Sequence, residues 1–295
     1  MAETLVLLNA RAGAVIDTGA DRVRDALVSA LKARSERVEI RLVRPGYLKS
    51  EIERAAQSDI STLIVGGGDG SVNCAAHALA GSSKTLGVLP FGTMNLFARD
   101  LNMPANIESA MEAIGDARPR RVDLARVNGR YFHSLSGLGF FSQMARAREE
   151  VRGHRFGRLI GVGIAALRAL RRTSPFTLDI RTESRREQVE AVAVLVTNNR
   201  FGPDWRRQVL DEGLLEIHIA EHAGALSKLK ASANLLAGTW RNDDDTDGIR
   251  SIVARHLAIG RTRRRTFAAT DGELRREHVP MRYEIRPGAL TVLSL

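Results

Sequence analysis

Apolar residues along the first part of the chain follow two alternating rhythms. Thr4-Leu5-Val6-Leu7-Leu8 is a short continuous apolar run, which predicts a strand buried on both faces, and residues 38–43 alternate as a second strand. Between them, Val23, Ala26, Leu27, Ala30 and Leu31 fall at helical spacing, which predicts a surface helix over 17–33. Residues 48–56 read as a helix, Thr62-Leu63-Ile64-Val65 as a buried strand, 72–79 as a helix and 86–89 as a further strand. This alternation predicts a parallel sheet covered on both faces. Ligands in such sheets bind beyond the carboxyl ends of the strands.

After a helix expected over 107–114 and a break at Arg118-Pro119-Arg120-Arg121, the pattern changes. Residues 122–127 and 130–135 read as strands joined by Asn128-Gly129, a strong two-residue hairpin signal. Further strands are expected over 176–181, 189–197, 255–259 and 264–268, a helix over 225–240, and closing strands over 282–285 and 289–293. The expected fold class is therefore an α/β N-terminal domain with a parallel, Rossmann-like three-layer sheet, followed by a mainly antiparallel, β-sandwich-like C-terminal domain. The boundary falls at 1–124 and 125–295, and the closing strands can return to the first domain.

Candidate chemistry lies where two of the early strands end. The strand at 62–65 runs into Gly66-Gly67-Gly68-Asp69-Gly70-Ser71 and then a helix carrying Asn73 and Cys74. Glycines without Cβ atoms let backbone N–H groups approach oxyanions, and a helix N-terminus favours negative charge, so this turn can hold phosphate. Asp69 suits a cation or proton network beside such phosphates better than a phosphate contact. The next strand ends in Pro90-Phe91-Gly92-Thr93-Met94-Asn95, which again offers glycine, hydroxyl and amide donors. Neither turn is a P-loop or a spaced-glycine dinucleotide fingerprint.

The formal net charge of +10 on 295 residues, most of the cationic groups being arginine, predicts attraction to nucleotides, nucleic acids or anionic membranes. Aromatic residues make up only 5%, too few for stacking on single strands, and no nucleic-acid-binding signature occurs, so nucleic acid is not an expected partner. The single cysteine, Cys74, excludes an internal disulfide framework and fits a reducing cytoplasm. No apolar run approaches the roughly 20 residues of a spanning helix, and the start, with Glu3, is not a signal peptide. Residues 142–172 gather many arginines around an apolar stretch at 159–167, which reads either as a core helix or as an element for transient docking on an anionic membrane surface. The acidic run at 242–247 lacks the spacing of a calcium loop and reads as a solvated loop.

Together, Gly-Gly-Gly-Asp-Gly-Ser at 66–71 and Pro-Phe-Gly-Thr-Met-Asn-Leu-Phe-Ala-Arg at 90–99 closely resemble the catalytic domain of the diacylglycerol kinase and sphingosine kinase family of lipid kinases, above all its bacterial soluble members. The resemblance extends to Asn9-Ala10-Arg11-Ala12-Gly13, to residues 122–141 with Gly137-Leu138-Gly139-Phe140, to residues 209–217, and to Thr270-Asp271-Gly272-Glu273-Leu274. It implies ATP and Mg2+ as cofactors and a lipid alcohol as acceptor. Asn9, Gly66, Gly67, Gly68, Asp69, Gly70, Ser71, Asn73, Gly92, Thr93 and Asn95 would hold the nucleotide. Asp69 and Asp123 would manage the metal, Glu212 a structural magnesium, and Asp271 would be the catalytic base across an interdomain cleft, with Glu273 as its substitute.

Four departures from the family pattern stand out. Ala10 replaces a proline, no threonine follows the second strand at Arg41-Leu42-Val43-Arg44, Glu212 stands where aspartate is usual, and Leu96 replaces an aspartate of the phosphate network. Leu96 keeps open a nucleotide-binding regulatory protein of the same fold. An NAD kinase shares a Gly-Gly-Asp-Gly turn, but its downstream Thr-Pro-Thr-Gly-Ser-type segment is missing here. Oligomeric state is not set by any of these features.

Overall fold

A computed structural model describes residues 3–32, 37–92, 95–151, 173–202, 205–221, 249–262 and 264–295. The chain divides into two compact units: Met1–Leu124 with Pro287–Leu295, and Ala125–Arg286. The helix expected over 225–240, the acidic run at 242–247, the apolar stretch at 159–167 and its flanking arginines at 152–172 lie outside the described residues.

In the first unit, β1 (Thr4–Asn9) pairs in parallel with β2 (Val38–Val43) and β3 (Thr62–Gly67), and β3 with β4 (Thr85–Pro90). The far edge of β4 is closed by the end of β15 (Met281–Ser294), in register at Thr291 opposite Thr85. Leu5 to Leu8 and Leu63 to Val65 are all buried, as continuous apolar strands between two helical layers require. The covering helices bury one stripe each: Val23, Leu27 and Leu31 of α2 (Ala20–Leu31), Leu48, Ile52 and Ala55 of α3 (Pro45–Gln57), and Val72, Ala75, Ala76 and Leu79 of α4 (Asp69–Leu79).

Three boundaries differ from the sequence expectation. The helix expected over 17–33 is two, α1 (Gly13–Thr18) and α2, because Gly19 at φ 88° takes a conformation that no helix continues. The break expected at Arg118 to Arg121 is the start of β5 (Arg118–Val127), whose exposed beginning tolerates Pro119. The two closing strands are a single strand, β15, which passes through Gly288 at φ 57°. The short helices α5 (Leu96–Asp100) and α6 (Ile107–Ala113) complete this unit.

The second unit is antiparallel, with α7 (Phe140–Val151) as its described helix. Its longest paired strand, β9 (Arg186–Asn198), takes β7 (Leu135–Gly139), β8 (Phe176–Thr182) and β10 (Leu215–Glu221) as neighbours. Also antiparallel are β10 with β11 (Ile249–Ala254), β12 (His256–Gly260) with β8 and β15, and β13 (Arg265–Thr270) with β14 (Glu273–His278) and β7. Alternate residues, among them Leu178, Ile180, Val194, Val196, Leu215, Ile217 and Ile219, point into one apolar core. Asn128-Gly129 does form a hairpin, between β5 and β6 (Arg130–Phe132), with φ of 48° and 85°. The strand expected to reach residue 135 stops at Phe132, because the amides of His133, Ser134 and Leu135 all donate to the Asp271 carboxylate, and β7 then pairs elsewhere.

Candidate functional site

The first unit brings its two glycine turns together. β3 ends at Gly67 and α4 begins at Asp69, with Gly68 as the extended N-cap. A Cβ on Gly92 would lie 2.4 Å from the Gly68 Cα and 2.7 Å from Asn95 Oδ1, so the second loop can lie on the first only as glycine on glycine. Gly66 is likewise hemmed in by Leu8 and Phe91, and Gly67 by Ser71. A Cβ on Gly70 would meet nothing within 4 Å, so the start of α4 is open to an approaching group.

Two side chains lock this arrangement. Asp69 accepts the N–H of Asn95 at 3.1 Å and of Leu96 at 2.9 Å, one on each carboxylate oxygen, and so caps α5 from across the loop. Asn95, at φ 49°, accepts the Gly92 N–H at 2.9 Å and donates to the carbonyls of Pro90 and Gly92, both at 3.0 Å. An asparagine tolerates this left-handed position better than most residues. Thr93 lies outside the described residues. Asn73 has a buried Oδ1 without a hydrogen-bond partner among the described residues. Asn9 closes a local turn at the end of β1, its Oδ1 accepting the Arg11 N–H at 3.0 Å.

The other predicted acids are engaged inside the fold. Asp123 on β5 is 3% exposed and accepts the Gly288 N–H at 2.8 Å, while Arg121 Nε donates to the Gly288 carbonyl, so β5 holds the left-handed residue of β15 in place. Glu212 accepts both the backbone N–H and Nη1 of Arg200, each at 2.9 Å. Where the resemblance implies a structural magnesium, this chain supplies a guanidinium. Nearby, the buried Arg207 donates to the carbonyls of His133 and Asn198 and lies 5.1 Å from the Phe201 ring. Sequence reasoning passed over Arg207, since one arginine in a loop rich in them carries no signal of burial.

Asp271 and Glu273 flank the turn between β13 and β14, where Asp271 (φ 45°) and Gly272 (φ 82°) form the two-residue hairpin that Asp-Gly favours. The Asp271 side chain is 0% exposed. Its oxygens accept the amides of His133, Ser134 and Leu135 at 2.9, 3.0 and 3.1 Å. That is the geometry of a brace, with no surface turned toward an acceptor. Glu273 has a side chain 43% exposed and is held by the guanidinium of Arg275. A chain of hydroxyls lies behind the turn, Ser136 with Thr270 at 2.9 Å and with Tyr283 at 3.2 Å, and burial pushes the Tyr283 phenol well above its usual pKa.

Among the described residues the predicted acids Asp69, Asp123 and Glu212 do not gather into a metal cage of their own, and no three His, Cys, Asp or Glu side chains converge on one point. Asp69 and Glu212 already hold amide or guanidinium donors on both oxygens. Phosphate does fit the glycine turns, because the paired glycines keep the backbone close and the helix N-terminus is open at Gly70.

Two family models cover most of the chain: the diacylglycerol kinase catalytic domain matches residues 3–127, and the YegS C-terminal NAD kinase beta sandwich-like domain matches residues 142–294. The chain belongs to the family of YegS-like lipid kinases. Proteins named "Probable lipid kinase YegS-like" from Yersinia pestis (strain Pestoides F) and Yersinia pseudotuberculosis serotype O:1b (strain IP 31758) are each 37% identical to it over 146 residues, 48% of this chain and 47% of theirs. The matched part thus spans about half the length of these curated relatives. The crystal structure of a diacylglycerol kinase from Bacillus anthracis strain Sterne shares the fold at a TM-score of 0.75 and 22% identity, covering 99% of this chain and 97% of that one. Among the described residues of this YegS-like family member, no helix is long and apolar enough to cross a membrane.

Proposed function

We propose that the chain is an ATP-dependent lipid kinase that transfers the γ-phosphate to a hydroxyl of a lipid such as diacylglycerol. The observation that carries this reading is the glycine-on-glycine contact of the two loops, pinned by Asp69 and open at Gly70, in a member of a lipid kinase family. In this reading the backbone from Gly66 to Ser71, with Asn9, Asn73, Gly92, Thr93 and Asn95, holds the ATP phosphates. Mg2+ enters as part of the metal–nucleotide substrate, in keeping with its preference for phosphates and few protein ligands.

Glu273, rather than Asp271, accepts the acceptor proton, because it is the carboxylate of the pair with exposed surface. The lipid oxygen forms a bond to the γ-phosphorus, the bond from phosphorus to the bridging oxygen breaks, and ADP leaves with that electron pair. Asp271 and Asp123 are positioning residues that hold backbone. The enzyme works in the cytoplasm, meeting its lipid during transient contact with an anionic membrane surface.

Leu96 favours a second reading. An apolar side chain stands where the resemblance expects an aspartate, which fits a protein that binds nucleotide as a regulator without turning it over. Purified chain incubated with labelled ATP, Mg2+ and a lipid extract separates the two. Labelled phospholipid is the expected result; ATP binding with no labelled lipid would transfer the conclusion to the regulator, and labelled NAD phosphate would transfer it to an NAD kinase.

A further inference from the structure

The second unit carries an arginine-walled slot that phosphoryl transfer does not use. Ala258 of β12 lies directly opposite Arg181 of β8 on one side and Arg282 of β15 on the other. The next row on the same face pairs Gly260 with Asp179. Residues opposite one another in register project from the same face of a sheet, so two arginines rise on either side of the small Ala258, while the Asp179 side chain lies over Gly260, 3.1 Å from where its Cβ would be. The Cα atoms of the two arginines are two strand spacings apart, roughly 10 Å, which leaves a gap over Ala258 for a group the size of an oxyanion.

A cavity of about 330 Å³ fills this place, lined by all five of these residues and by Arg261 and Arg264 from the connection to β13. Among the described residues of this lining, four arginines therefore face one aspartate. Arg181, Arg264 and Arg282 form no side-chain ion pair among the described residues. Arg261 is held in a fixed pose, its Nη1 donating to Thr266 Oγ1 at 2.7 Å and its guanidinium lying 4.2 Å from the Phe176 ring centroid. A second cavity of about 850 Å³ shares Arg261, Thr262 and Arg264, adds Arg265 and Arg276, and has no acidic residue among the described residues of its lining. Several guanidinium forks around one gap suit an anion with oxygens on every side, which is a phosphate group more than a planar carboxylate. The adjoining cavity gives room for whatever the phosphate is attached to.

We propose that the slot over Ala258, between Arg181 and Arg282, binds the phosphate group of an anionic ligand, carried by a lipid headgroup or by a small soluble phosphate. The slot rests on its own geometry; only the assignment to a lipid headgroup rests on the lipid kinase reading.

The test uses the full chain and three variants: Arg181→Gln with Arg282→Gln, Ala258→Leu, which fills the slot at constant charge, and Arg22→Gln with Arg24→Gln, an equal charge loss on the exposed face of α2 in the first unit. Inorganic phosphate and glycerol phosphate are titrated calorimetrically. Flotation uses phosphatidylcholine vesicles with and without an equal part of phosphatidylglycerol. The first two variants are expected to weaken binding at least about ten-fold, as loss of charge-assisted hydrogen bonds implies, while the α2 pair binds as the parent does. A loss confined to the soluble phosphates supports the slot with a soluble ligand, and a loss on anionic vesicles supports it with a lipid one. Unchanged binding in both slot variants, or an equal loss in the α2 pair, overturns the proposal. Slot binding that persists in a chain without lipid kinase activity would overturn the functional reading alone.

Discussion

Asp271 and Glu273 are two positions apart on one hairpin turn, yet their surroundings demand different substitution outcomes. In Asp271→Asn the amide keeps one acceptor oxygen and turns an NH2 toward backbone donors that the carboxylate now satisfies. Urea unfolding should show a loss of about 3 kcal/mol, the scale of charged-acceptor hydrogen bonds that are buried and broken. Glu273→Gln should stay within about 0.5 kcal/mol of the parent, as exposed substitutions do, while lipid phosphorylation falls roughly a hundred-fold or more. Parental stability in Asp271→Asn would remove the bracing role. The turn itself was legible, since Asp-Gly and Asn-Gly announce their left-handed φ values in the local sequence. That Asp271 folds inward onto amides more than 130 residues earlier was not, because no local pattern encodes a partner so distant in the chain.

At the scale of elements, the glycine turns and the loop from Asn198 to Leu215 make contrasting predictions. Gly92→Ala places a methyl where the Gly68 Cα stands 2.4 Å away, so the two loops must part. ATP affinity, measured by calorimetry, should drop at least about ten-fold with the loss of one or more oriented amide donors; unchanged affinity would mean that the contact does not shape the site. The loop after β9 is tied by Arg200 to Glu212 and by Arg207 to carbonyls, so its cation is built into the chain. Addition of EDTA should leave the thermal midpoint of the ligand-free protein unchanged, and Glu212→Gln should lower stability by about 1 kcal/mol, since the pair is partly exposed. A fall in the midpoint with EDTA would restore a metal to this loop. The parallel strands and their helices could be read from apolar spacing alone. The break at Gly19 and the early stop of β6 could not, the first because one glycine inside a helical pattern is usually tolerated, the second because it is imposed by a side chain from another hairpin.

Over the whole molecule, the change from parallel to antiparallel pairing was visible at Asn128-Gly129, because a two-residue turn can join only antiparallel strands. The return of the closing residues to the first unit was also expected; what could not be read was that one unbroken strand, β15, makes it, with Met281 to Arg286 in the second unit and Pro287 to Ser294 in the first. Its second half buries Leu290, Val292 and Leu293 and pairs with β4. A chain truncated after Arg286 should lose about 5 kcal/mol from these three side chains and leave β4 an exposed, aggregation-prone edge. Soluble yield and the cooperativity of unfolding measure this; a soluble fragment that unfolds like the parent would show the strand to be dispensable. The pairing also sets an order of events during synthesis. A ribosome that has made residues 1–124 has delivered a sheet still missing a strand, and the gap persists until residues 287–295 are translated. The unit made first is finished last, so the nascent chain must shield an open β4 edge while all of the second unit is being made.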